Sequence, residues 1–206
     1  MKPSLNLDKD LYYIKQEAYS QVIGIDEVGR GSWAGPVAVG AYILDLNTPH
    51  IEGINDSKML KVSKRETLSQ SLSLHKHSLH LGDVKSINNL GIGKTITNLI
   101  CEIIEKYNSA DTFFIIDGQF AINFGKNTTK VIRGDSTYYS VAAASILAKV
   151  FRDQLMRILD MEYPNYGFET NAGYPTKEHM KALQDFGPTS IHRKSFKPIQ
   201  QFIDLQ

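Results

Sequence analysis

Asp26 and Glu27 stand side by side at the end of a short apolar run, Val22-Ile23-Gly24-Ile25, and Gly29-Arg30-Gly31 follows after Val28. A Val/Ile run this short, closed by glycines, reads as a buried strand that opens into a loop. Two acids at the mouth of a buried strand need positive charge nearby. At about 4 Å, like charges repel by roughly 4 kcal/mol at an effective dielectric of about 20. A divalent ion relieves that cost, and hard cations such as Mg²⁺ take carboxylate oxygens. Glycine lets the backbone come close to a ligand, and Arg30 can fork onto a phosphate. The stretch suggests metal and phosphate together. Taken alone, however, a solvated turn explains it better. Strict strand alternation also sends Asp26 and Glu27 to opposite faces, so both serve one site only where the strand bends at Glu27.

The same theme recurs twice. Thr112 to Ile116 is a hydrophobic strand ending in Asp117-Gly118, and Lys130-Val131-Ile132-Arg133-Gly134 leads into Asp135. One such ending is a turn. Three on strands of one sheet point to a common acidic site, because ligands gather where strand ends converge. Three other motifs are set aside. Gly91-Ile92-Gly93-Lys94-Thr95 imitates the end of a phosphate-binding loop, but Asn88 stands where that pattern needs glycine. Arg133-Gly134-Asp135 as an adhesion tripeptide and Asn127-Thr128-Thr129 as a glycosylation site both require secretion, which nothing here directs.

The elements that must position these acids follow in order. Residues 8–19 predict an amphipathic helix with Leu11, Ile14 and Ala18 on one side, and residues 36–44 a second apolar strand. A helix is expected from Ser63, with Glu66 completing a capping box. Residues 76–84 predict a third strand, residues 88–107 a long helix, and residues 136–161 another. The small residues Val141 to Ala148 suit close packing on a sheet. Lys149, Arg152 and Asp153 read as solvated helix surface. Tyr163, Tyr166, Phe168 and Tyr174 lie among turns, with Tyr163 and Tyr166 expected to pack inward. Residues 176–186 predict a helix, and residues 190–197 an exposed basic stretch suited, with the aromatics, to nucleic acid. The only candidate boundary lies near 162, giving a domain over 1–162 and an extension over 163–206.

With 206 residues and 42% hydrophobic content, one well-packed domain with a small appendage is expected. A net charge of +1 shows no global basic field, although a cluster of acids cancels basic residues elsewhere. The single cysteine, Cys101, excludes an internal disulfide and a cysteine-built zinc site. No apolar signal core or membrane-length stretch is present, so a soluble, cytoplasmic protein is expected.

The motif order resembles the ribonuclease HII family, the bacterial type 2 ribonucleases H. Between Ile23 and Phe196 the matching strings are GIDEVGRG, AGPVAV, INDSK, IIDG, RGDS, AAASILAKVFRD, YPNYGF, GYPTKEH and IHRKSF. The resemblance implies an α/β, ribonuclease H-like fold: a mixed central sheet flanked by helices, with a small C-terminal helical extension. It places four catalytic, metal-binding acids on Asp26, Glu27, Asp117 and Asp135. It places substrate-binding residues on Gly29, Arg30, Gly31, Lys58 and Tyr174. The implied cofactors are two Mg²⁺ or Mn²⁺ ions. The implied reaction is hydrolysis of the RNA strand of RNA–DNA hybrids and cleavage 5′ to single ribonucleotides in duplex DNA, leaving 3′-hydroxyl and 5′-phosphate ends. That activity serves ribonucleotide excision repair and RNA primer removal.

The chain departs from the family pattern at Ser32-Trp33, Arg133, Tyr138-Tyr139 and Asn171-Ala172, none of which removes an acid. A monomer is expected. The tail Gln200-Gln201-Phe202-Ile203-Asp204-Leu205 faintly resembles a sliding-clamp-binding segment. Two rival functions remain: a DNA junction resolvase of the same fold, and a non-catalytic nucleic-acid-binding module.

Overall fold

The computed structural model describes residues 5–203. In chain order the helices are α1 (Asp8–Lys15), α2 (Val62–Leu72), α3 (Val84–Leu90), α4 (Ile92–Tyr107), α5 (Tyr139–Glu162), α6 (Phe168–Asn171), α7 (Lys177–Phe186) and α8 (Lys197–Ile203). The strands are β1 (Gln21–Val28), β2 (Val37–Asp45), β3 (His77–Gly82), β4 (Thr112–Asp117) and β5 (Thr128–Val131), and the sheet order is β3-β2-β1-β4-β5. β1 pairs parallel with β4, and β4 with β5. The connection 29–36 is too short for a parallel crossover, so β1 and β2 run antiparallel and the sheet is mixed. The parallel register sets Ile25 against Ile116, which leaves Asp26 and Asp117 at neighbouring strand ends.

The chain divides into two compact units. One takes in residues up to Glu27, Val39–His80 and Thr97–Val150; the other takes in Val28–Ala38, Leu81–Ile96 and the chain from Phe151 onward. In the first, Val22, Tyr42, Leu44, Ile115, Val141 and Ala142 to Ala144 form a closed core. The small residues on α5 do what their size allows. A methyl group added at Gly24 would collide with the Ser140–Val141 backbone, and one at Gly40 would lie 2.6 Å from the Ala144 carbonyl oxygen. In the second unit Ala34, Met156, Tyr166, Phe168 and Leu183 form a core against which Trp33, Tyr163 and Tyr174 pack. Tyr166 is buried and Tyr163 partly so, as the aromatic pattern predicted.

Several expectations need correction. α1 ends at Lys15, and Ala18 adopts a left-handed conformation outside it. The capping box at Ser63 does not form: α2 begins at Val62, Lys61 occupies the N-cap with no side-chain cap, and Ser63 lies inside the helix. Side-chain caps stand elsewhere, at Asp83 on α3 and Thr176 on α7. The helix expected over 88–107 is two helices, broken at Gly91, whose φ of 80° ends α3. β5, the last of the predicted acid-bearing strands, ends at Val131, and Asp135 sits beyond it on a 3₁₀ turn, Gly134–Ser136, entered through a left-handed Arg133. Arg152, expected at the surface, is fully buried, and Lys149 and Asp153 are half-buried. Of the basic stretch 190–197, Lys194 and Lys197 are exposed but His192 and Arg193 are fully buried. Among the described residues no helix is long and apolar enough to cross a membrane.

Candidate active site

In the first unit the strand ends bring the predicted acids together. One carboxylate oxygen each from Asp26, Asp117 and Asp135 all lie within 4.8 Å of one another. Asp26 closes the unbroken buried run of β1 that starts at Val22, and its Oδ1 accepts from the Glu27 amide at 2.8 Å. Asp117 ends β4, and its Oδ1 accepts from the Gly134 amide at 3.0 Å, which ties it to the turn carrying Asp135. Burial, helped by the charges of Glu27, Asp117 and Asp135, pushes the Asp26 carboxyl well above the usual carboxylate range. Asp135 is also raised, by burial and then by Asp56, with Lys58 opposing.

Glu27 stands outside that group of three. β1 continues through it to Val28. Its carboxylate nonetheless faces the cluster's edge: a Cβ built on Gly118 would lie 3.8 Å from Glu27 Oε2. Lys58 reaches in from outside. Its Nζ lies 3.5 Å from Asp135 Oδ2 while the side chain stays 80% exposed, so the contact is a movable charge and not a structural lock.

The donor set fits a hard divalent ion. All the donors are carboxylate oxygens, Asp26 and Asp135 are buried, and burial together with the neighbouring carboxylates holds the Asp26 carboxyl high. Asp26, Asp117 and Asp135 would hold such an ion, with Glu27 at the margin.

The second unit assembles the other predicted residues. Gly29 is buried with φ of 94°, while Arg30 and Gly31 are exposed. A Cβ on Gly31 would meet nothing nearer than Tyr174 Cε1, at 4.0 Å, so the glycine turn and Tyr174 are neighbours. The Trp33 and Ala34 amides both donate to the Gly173 carbonyl, at 2.7 and 3.3 Å, joining the loop to the residue before Tyr174.

Four residues that sequence reasoning missed hold this arrangement. Arg152 donates to the carbonyls of Pro36, Ala34 and Ala172. Arg193 donates to those of Gly35, Arg30 and Pro36. His179 and His192 face each other, Nε2 to Nε2, at 3.0 Å. The Thr189 amide donates to His192 Nδ1, so that nitrogen is bare and Nε2 carries the proton. His179 then accepts at Nε2 and donates from Nδ1 to the Tyr174 carbonyl, 2.9 Å away. Burial lowers both imidazoles, His192 to about 3, which keeps the chain of donors neutral and pointed one way. The only signal for these four in the sequence is that they fall within the strings AAASILAKVFRD, GYPTKEH and IHRKSF.

A mixed sheet whose strand ends gather carboxylates into an all-oxygen site defines a metal-dependent hydrolase of ribonuclease H-like architecture. Comparison with known proteins agrees. The family model for ribonuclease HII matches residues 23–199. The ribonuclease HII of Zymomonas mobilis subsp. mobilis is 42% identical over 189 residues, covering 89% of this chain and 87% of that protein. Two solved structures share the fold. The RNase HII of Archaeoglobus fulgidus, in a complex with PCNA, aligns with a TM-score of 0.73 at 22% identity over 86% of this chain and 95% of that one. Bst-RNase HIII in complex with Mn²⁺ aligns with a TM-score of 0.62 at 20% identity, over 90% of this chain and 70% of that one. The chain belongs to the ribonuclease HII family, and it is a ribonuclease that works with a metal ion.

Proposed function

We propose that the protein hydrolyses the RNA strand of RNA–DNA hybrids and cuts 5′ to single ribonucleotides embedded in duplex DNA, leaving 3′-hydroxyl and 5′-phosphate ends. The observation that carries this is the convergence of Asp26, Asp117 and Asp135 within 4.8 Å. When bound, two divalent ions supply charge stabilisation at the scissile phosphate and a water acidic enough to attack it. Asp26 and Asp117 serve as the core ligands, and Glu27 and Asp135 complete the pair of ion sites. Mg²⁺ and Mn²⁺ both suit all-oxygen donors, and the Mn²⁺ complex of Bst-RNase HIII supports that choice.

The 2′-hydroxyl distinguishes RNA from DNA. The exposed Gly31 presents backbone with no side chain to hold a sugar away, and Tyr174 beside it offers a ring to the deoxyribose that follows the junction. Lys58, exposed and cationic, meets a phosphate. Such an activity fits ribonucleotide excision repair and primer removal. A clamp contact through the tail has slighter support: residues 200–203 lie on α8, Asp204 and Leu205 fall outside the described residues, and the Archaeoglobus fulgidus relative is seen with PCNA.

The deciding experiment offers a duplex with one ribonucleotide and its all-DNA twin, each with and without Mg²⁺ or Mn²⁺. Cleavage of the first alone, 5′ to the ribonucleotide and only with metal, is expected. Cutting of the all-DNA twin selects a junction nuclease instead. Binding without metal-dependent turnover selects a non-catalytic module.

A further inference from the structure

A cavity of about 660 Å³ opens beside Asp135, and no role above uses it. Its charged lining is Lys9, Lys58 and Arg133 against Asp56 and Asp135. With Asp135 committed to metal, three cations face one acid. Asp56 is partly engaged already, its Oδ1 accepting from the Lys58 amide at 2.9 Å.

Two of the cations are placed there by unusual means. Arg133 holds a left-handed backbone, φ 58° and ψ 43°. For a residue with a long side chain that conformation is strained and persists only where surroundings over-determine it. They do so here. The Arg133 carbonyl accepts from the Ser136 amide, Ser136 Oγ and Thr137 Oγ1, at 3.1, 2.9 and 3.1 Å. The next amide, of Gly134, is held by Asp117. The strained residue is therefore wired to the acid cluster on one side and lines the cavity on the other.

Lys9 comes from the far end of the chain. The neighbouring Asp10 is fully buried and accepts from the amides of Tyr139 and Ser140, at 2.8 and 3.1 Å, capping α5. That bond fixes α1 beside the turn that carries Arg133 and Asp135. Lys9 Nζ then sits 5.9 Å from the centre of the Tyr138 ring. A fully buried acid thus spans more than a hundred residues of sequence to bring α1 and its lysine to this wall.

We propose that this cavity is a second phosphate site, in which Lys9 and Arg133 bind a phosphodiester of the cleaved strand next to the scissile one. The inference rests on the reading of the acid cluster as a nuclease centre. A phosphodiester suits the lining because its charge is met by cations from two segments while Asn55 and Ser136, also on the wall, offer polar partners.

The test measures kcat/KM of the full chain on an RNA–DNA hybrid with Mg²⁺ across a salt series. Lys9→Gln and Arg133→Asn remove charge, and asparagine tolerates the left-handed backbone. Each is expected to lower kcat/KM roughly three- to tenfold at low salt, mainly through KM. Each should also flatten the slope of log(kcat/KM) against log[salt] by about 0.7–0.9, the contribution of one phosphate contact. Arg133→Lys keeps the slope. Lys64→Gln, an exposed lysine outside the cavity, changes neither quantity. Parental slopes in both Lys9→Gln and Arg133→Asn, in a protein that still cuts the hybrid, overturn the proposal. Lys9→Gln decides alone if Arg133→Asn does not fold. A parent that fails to cut the hybrid with metal is a different result, which removes the nuclease reading and this site with it.

Discussion

Arg152 and Arg193 share one acceptor: Arg152 Nε and a terminal nitrogen of Arg193 both donate to the Pro36 carbonyl, at 2.8 and 3.1 Å. Both guanidiniums are fully buried, and both point at main-chain oxygens of the 30–36 loop. Burial lowers both, Arg193 to about 9. Planar forks with five donors can satisfy several carbonyls at fixed angles, which a lysine ammonium cannot. Arg193→Met orphans the carbonyls of Arg30 and Gly35, and buried unsatisfied groups cost about 1–3 kcal/mol each. Unfolding by urea should show a loss of roughly 3 kcal/mol for Arg193→Met, with Arg193→Lys recovering less than half. Parental stability in Arg193→Met would mean that the loop supports itself.

These arginines also mark what could be read from the sequence and what could not. Asp26 and Asp117 were legible because each follows an apolar run, a local pattern that the parallel pairing of β1 and β4 converts into proximity, and Asp135 because it follows a third strand, although the turn held by Asp117 is what brings it in. The close packing of α5 was legible in its alanines. Arg152 and Arg193 were not, since local pattern assigns a charged residue to solvent, while all their acceptors but Ala172 lie over a hundred residues away in the chain. The break at Gly91 is local, a positive-φ glycine whose amide caps α3 on the Ile87 carbonyl, but apolar periodicity runs on past it and masked it. The left-handed Arg133 was hidden because the next amide is held by Asp117 on another strand. The family motifs mark where these residues lie but not what they touch.

The neutral histidine pair makes stability pH-dependent. His192 is held at about 3 by burial, then by His179 and Lys194, against an ordinary value of 6.5. The folded chain therefore refuses a proton that the unfolded chain accepts between those values. Its stability is complete above about pH 6.5 and falls as pH drops through the window, at up to about 1.4 kcal/mol per pH unit. Urea unfolding at a series of pH values should show that slope, and His192→Asn should flatten it. An equal slope in the variant would place the titration elsewhere.

The acid cluster trades stability for metal binding. Ionising Asp26 works against burial and three neighbouring carboxylates, and because its folded value is raised, stability is lost as pH rises through that range. Asp26→Asn keeps an acceptor for the Glu27 amide and removes the charge. Without metal it should raise unfolding free energy by about 0.5–2 kcal/mol, the usual gain when a strained site is relieved. Added Mn²⁺ should raise the melting temperature of the parent and leave that of the variant nearly unmoved. Asp117→Asn should abolish cleavage while hybrid binding stays measurable. A variant at either position with full activity contradicts the ligand assignment.

The two glycines flanking Arg30 should fail differently. Gly29 has φ of 94°, and a Cβ there would strike the Arg152 guanidinium, so Gly29→Ala disturbs both the backbone and the buried fork. Gly31 is exposed, and its Cβ would touch only the edge of Tyr174. Gly31→Ala should therefore melt within about 2 °C of the parent, since surface changes away from such features stay within about 0.5 kcal/mol. It should still lose about tenfold or more on a duplex with one ribonucleotide, because under the proposed function the added methyl would stand where the sugar approaches. Tyr174→Ala should lose more on that substrate than on an all-RNA hybrid, since only the former presents a deoxyribose after the junction. Melting curves and kcat/KM on the two substrates separate these cases. A Gly31→Ala protein that cuts the one-ribonucleotide duplex at the parental rate would show that the glycine turn does not approach the sugar.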